Sequence, residues 1–91
     1  MPEVYRYSFR DDCKSIDIER CLALAFRGAE SLHGEAEVRM DGQYAFDPGK
    51  HLCVIDSTTP VGRDINRLFV GFLQSEMGEA SFRIDRRPKN P

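Results

Sequence analysis

The chain has 91 residues, a formal net charge of −2, and 41% hydrophobic against 31% charged side chains. That size suits one domain with one core, the composition is not that of a disordered chain, and the charge supplies no basic field for nucleic acid. No apolar run approaches the roughly 18 residues of a membrane span. The stretch from Met1 to Arg6 lacks the apolar core of a signal peptide, and the three cysteines show no CxxC spacing that would announce a disulfide framework. Together these predict a soluble protein of the reducing cytoplasm.

Taken in order, Val4 to Arg10 alternates, with Tyr5, Tyr7 and Phe9 on one side and Arg6, Ser8 and Arg10 on the other, which predicts a half-buried strand. A polar connection over 11–15 leads into a helical stripe of Ile18, Leu22, Ala25, Phe26, Ala29 and Leu32. Ser15 or Asp17 is placed to cap its start, and Gly34 stops it. Glu35 to Asp41 alternates again, so a second strand is expected there, with Ala36, Val38 and Met40 inward. Gly42 would form a bulge, and 43–46 would continue the strand. The turn Asp47-Pro48-Gly49-Lys50 then closes a hairpin of Glu35–Asp56, whose return strand is Leu52–Asp56.

Ser57-Thr58-Thr59 is a polar turn, and Pro60–Met77 has the spacing of an amphipathic helix through Val61, Ile65, Leu68, Phe69, Phe72, Leu73 and Met77. Thr59 suits the N-cap, Pro60 the first helical position and Gly78 the stop. Ala80–Arg86 forms the last strand, with Phe82 and Ile84 inward, and 87–91 reads as a loose tail because Pro88 cannot extend a strand. Gly28 and Gly71 each lie inside a helix, which predicts that the two helices approach closely there.

The order β-α-β-β-α-β predicts an α+β fold: a ferredoxin-like βαββαβ two-layer sandwich, with two helices on one face of a four-stranded antiparallel sheet. The other face is left open. Fold class alone carries no function.

Five groups of residues are of types that could carry chemistry or binding. Ser57, Thr58, Thr59, Gly62 and Arg63 bring three hydroxyls, a small residue and a guanidinium to a helix N-terminus, the arrangement of an anion site for phosphate or carboxylate. The plainer account is that Ser and Thr cap the helix, Asp56 pairs with Arg63, and Gly62 permits close packing. Cys13, Cys21, Cys53, His33 and His51 are the metal-ligating types, of which His51 and Cys53 share a strand face, yet no CxxC or HxxxH spacing supplies four tetrahedral ligands. A Cys53–His51 thiolate pair fails because side chains on one strand run parallel. RNA stacking on the sheet lacks an aromatic on the 51–55 strand and lacks the RNP1 pattern.

The fifth is the open sheet face itself. With Leu52 and Val54 turned to the helices, Cys53 and Ile55 would lie mid-sheet, an apolar spot framed by Arg6, Ser8, Arg39 and Glu37 as its polar rim. Leu24 and Val70 are outward on their helices. The reading is a non-catalytic interaction module acting as a homodimer through Arg6, Ser8, Cys53 and Ile55. The alternative is a small anion held by Ser57, Thr58, Thr59, Gly62 and Arg63. No catalytic residue, cofactor, metal, nucleic-acid partner or membrane contact is expected.

Overall fold

Alternation at the amino terminus produces a strand, β1 (Glu3–Phe9), in which Tyr7 and Phe9 are buried while Arg6 and Ser8 are only half covered. The computed structural model describes residues 3–88; Met1, Pro2 and Lys89–Pro91, and with them most of the tail expected over 87–91, lie outside the described residues. Helix α1 (Ser15–His33) follows, entered through Lys14 without a side-chain cap, so neither Ser15 nor Asp17 serves as one. Gly34, at φ +88°, ends it, a conformation open to glycine at little cost.

The stretch after Gly34 departs from expectation. Residues 35–41 form a short helix, α2 (Glu35–Asp41), and only Tyr44–Asp47 makes strand β2. The alternation of Ala36, Val38 and Met40 promised three inward side chains, but Val38 alone is buried and Met40 is 74% exposed. Glu, Ala, Arg and Met are strong helix formers, acidic Glu35 and Glu37 sit in the first turn, and Arg39 reaches Glu35 at the i, i+4 spacing, 3.6 Å away. Local propensity outweighs a seven-residue alternating pattern when one buried valine satisfies both.

A short 3₁₀ turn at Pro48–Lys50 then leads to β3 (Leu52–Asp56), so the hairpin spans Tyr44 to Asp56. Helix α3 (Pro60–Met77) begins as expected: Thr59 Oγ1 accepts from the Gly62 amide at 3.0 Å, and Gly78 closes the far end at φ +84°. After a second 3₁₀ turn, β4 runs Phe82–Pro88, and Pro88 pairs with Glu3. The proline is tolerated because β4 is an edge strand, where a missing N–H breaks no ladder.

The sheet is antiparallel throughout, in the order β2-β3-β1-β4, which makes this an α+β protein with a four-stranded sheet and three helices. Helices α1 and α3 lie side by side. They share one core with the sheet: Tyr7, Cys53 and Ile55 meet Ile18, Ala25, Ile65, Phe69 and Leu73. At its centre Tyr7 is fully buried, its ring edge-on to Phe69 at a centroid distance of 4.8 Å, and its hydroxyl donates to Asn66 Oδ1.

The two helical glycines behave differently. A Cβ on Gly28 would sit 2.8 Å from Leu68 Cδ1, so α1 and α3 do approach there, whereas Gly71 faces open solvent. On Gly62 a Cβ would collide with the Asp56 carbonyl oxygen. A three-position alanine series should therefore separate by sign in chemical denaturation. Gly71→Ala is expected to stabilise by about 1 kcal/mol, Gly28→Ala to gain less because Leu68 must turn aside, and Gly62→Ala to destabilise by about 1–3 kcal/mol through overpacking against fixed backbone.

Candidate functional site

The Ser57–Arg63 turn comes together where the sequence places it, but the Ser57 and Thr59 hydroxyls and the Thr58 and Gly62 amides are committed to the chain itself. Ser57 is buried, and its hydroxyl donates to the Glu3 carbonyl at 2.9 Å. Thr59 Oγ1 accepts from Gly62 N and donates to the Asp41 carbonyl at 3.3 Å. The Thr58 amide donates to Asp56 Oδ1 at 2.9 Å, which brings a carboxylate to the helix N-terminus. Gly62 does let something approach closely; it is the Asp56 carbonyl. Arg63 is exposed, with Nη1 3.4 Å from the Thr58 carbonyl, and with Arg67 it borders a small cleft of about 130 Å³ that also contains Glu3.

A protein carboxylate at the helix end competes for the place an external anion would take. A thermal-shift panel of phosphates, nucleotides and carboxylates is therefore expected to leave the melting temperature unchanged. Stabilisation that grows with ligand concentration, and is lost in Arg63→Ala, would show the turn to be a binding site after all.

The metal-ligating types are scattered. Among the described residues no three of His, Cys, Asp and Glu are grouped so as to hold a metal ion. His33 Nε2 meets Asp64 Oδ2 at 2.8 Å and ties the end of α1 to the first turns of α3. His51 is left-handed, φ +54°, and lies before the strand, so it does not form a strand-face pair with Cys53.

The open face holds the main correction. Cys53 and Ile55, expected there, are both at 0% exposure and turn towards the helices, while Leu52 and Val54 are the residues left half-buried on the other side. Register explains it: Tyr5 pairs with Ile55 and Tyr7 with Cys53, while Arg6 pairs with Val54 and Ser8 with Leu52. Opposed residues share a face, so once Tyr7 is inward Cys53 must be as well.

The open face thus has three rows across the sheet. One runs Arg87–Val4–Asp56, the next Asp85–Arg6–Val54–Ala45, the last Arg83–Ser8–Leu52–Asp47. Arg6 and Ser8 stand on it as expected. Arg6 Nη2 reaches Asp85 Oδ2 at 3.4 Å, and Arg87 lies 3.9 Å from the same oxygen. Arg6 Nε is buried and has no hydrogen-bond partner among the described residues. Leu24 and Val70 are both half-buried, and Val70 packs against the core.

One surface had no counterpart in the sequence reading: a groove of about 730 Å³ between α1 and the β2 edge, lined by Leu22, Ala23, Phe26, Tyr44 and Phe46 with Glu19 at its side. Phe26 and Tyr44 meet edge-on there at 5.1 Å. Its signal was the apolar pair Tyr44 and Phe46 on a strand too short to be covered.

Comparison with protein-family models, with curated proteins and with solved structures finds no match. No helix among the described residues is long and apolar enough to cross a membrane.

The three thiols differ in environment. Cys53 is sealed in the core, and burial pushes its thiol up to about 12; Cys21 is raised by burial and by nearby Glu76 and Asp17, against a smaller opposing effect of Arg20. Cys13 is half exposed and donates to the Ser81 carbonyl at 3.5 Å. A thiol reagent at pH 8 should modify Cys13 first and reach Cys21 and Cys53 only on unfolding. Because the folded state holds the Cys53 proton more tightly than the unfolded chain, this contribution to stability is complete below the free thiol's range. It falls away as the pH rises from about 9 towards 12. Denaturation midpoints should drop across that window, less steeply in Cys53→Ala.

Proposed function

We propose that this chain is a ferredoxin-like, non-catalytic interaction module that works as a homodimer through its open sheet face. Support for the scaffold comes from the antiparallel order β2-β3-β1-β4 with α1 and α3 packed together against one side, the arrangement a split βαβ pair produces; α2 is an addition before β2. Three cysteines without a disulfide suit a reducing cytoplasm.

The observation that carries the functional reading is the character of the uncovered face. Val4, Leu52 and Val54 form a half-buried apolar strip on the middle strands, extended by exposed Ala45 on β2, with Arg6 and Asp56 beside it on the same strands and the other charges of the face further out. An apolar centre with a polar rim is the anatomy of a protein contact, and a two-fold pair is the commonest way for one surface to find its complement. Catalysis has less to draw on: Cys53 is sealed and held neutral, and His33 is engaged with Asp64.

Light scattering coupled to size-exclusion chromatography should report twice the chain mass at micromolar concentrations. A monomer persisting at high micromolar concentration would overturn the reading.

A further inference from the structure

The open face carries its charges in a pattern that tells two dimers apart. Basic Arg6, Arg83 and Arg87 stand on β1 and β4, and acidic Asp47 and Asp56 stand on β2 and β3, at the opposite side of the same face. Asp85 is the exception on the basic half, and it is engaged there by Arg6 and Arg87. Arg83 has no ion pair among the described residues. Asp47 has none either, although its Oδ1 accepts from the Lys50 amide at 3.3 Å.

Two such faces with their strands aligned, as sheets pack in sandwiches, can be related by a two-fold axis lying in the contact plane either across the strands or along them. An axis across the strands lays each strand on its own copy and reverses the rows. Arg83 then opposes Arg87 of the second copy, Arg6 opposes Arg6, and Asp85 opposes Asp85, like charges at each of these three positions, while Ser8 falls on Val4 and Asp56 on Leu52. An axis along the strands exchanges the two halves of the sheet instead. β4 then lies over β2 of the second copy and β1 over β3. In that arrangement Arg83 meets Asp47, Arg6 and Asp85 cover Val54 and Ala45, Val4 approaches Asp56, and Arg87 comes over the end of β2 next to that same Asp56. Both arrangements cover the apolar strip, across the strands with Val54 on Val54 and along them beneath the Arg6–Asp85 ion pair, and they differ in the charge that Arg83 and Asp47 meet.

We infer that the second copy packs face to face about a two-fold axis parallel to the strands, held in register by two symmetric Arg83–Asp47 contacts between protomers. The inference rests on the self-association reading above and adds the partner geometry to it. Isologous contact makes the register testable, because each substitution appears twice in a homodimer and once in a mixed pair.

The experiment compares wild type, Arg83→Asp and Asp47→Arg, each alone and the two variants mixed in equal amounts, by analytical ultracentrifugation. Arg27→Asp on the outer side of α1 is the charge control, and circular dichroism checks the fold. Arg83→Ser and Asp47→Ser give the same comparison without a reversed charge. Each reversed variant alone puts like charges at both contacts and is expected to raise the dimer Kd about tenfold or more. Their mixture restores opposite charges at both contacts, and a heterodimer of near wild-type affinity is expected; unfolded chains could not produce that rescue. Tighter dimers of Arg83→Asp would signal pairing with Arg87 across the other axis and overturn the geometry. A wild-type dimer indifferent to both variants would place the contact elsewhere, overturning the geometry while leaving self-association standing. A wild-type monomer at high micromolar concentration would overturn both.

Discussion

The tyrosine at the centre of β1 decides which way this sheet faces. Tyr7 is wholly covered, donates its hydroxyl to Asn66 on α3 and sets its ring against Phe69 one turn further on. A buried phenol without a partner would be costly, so the contact orients α3 as well as filling space. Burial drives the Tyr7 hydroxyl far above its ordinary pKa, with Cys53 and Tyr5 adding to the effect, so it stays a proton donor. With Tyr7 inward, pairing carries the same sense to Cys53 on one side and Ile84 on the other. Everything on the alternate parity, from Arg6 to Val54, is then left facing away from the helices.

The same constraint accounts for the unequal burial of the two halves of the helix layer. α3 is bounded at both ends by residues that suit the job, Thr59 and Gly78, and its first turn is pressed against β3 closely enough that only glycine fits at 62. α1 meets it at Gly28 and Leu68. Before that contact, α1 and β2 leave between them the groove beside Phe26 and Tyr44, and at the far end of α1 the expected core residue Leu32 is 67% exposed. The four-residue β2 is too short to fill that corner.

The hydroxyl-rich turn before α3 illustrates how a capping motif and an anion site share one vocabulary. Both need Ser or Thr, a free helix end and a small residue. What distinguishes them is who supplies the negative partner, and here Asp56 of the same chain meets the Thr58 amide. Ser57 is tied to Glu3 far away in sequence. The turn thus acts as a clasp between β3, β1 and α3.

Much of this was legible in the residues alone. The bounds of α3, the inward side of β1 and the stop at Gly34 each followed from local chemistry: a cap, a proline at N1, a glycine, a period. Those signals act within a few residues, and the sequence contains them complete. Three features needed the folded chain. Residues 35–41 satisfy both periods, and the folded chain has Val38 buried with Met40 exposed, as the helix and not the alternating strand requires. The facing of Cys53 and Ile55 depends on register with β1, and in a period-two strand a shift of one residue exchanges the two faces. The pairing of Ser57 with Glu3, and of His33 with Asp64, joins residues 54 and 31 positions apart. Local spacing carries no information about such distances, so tertiary structure alone could decide them.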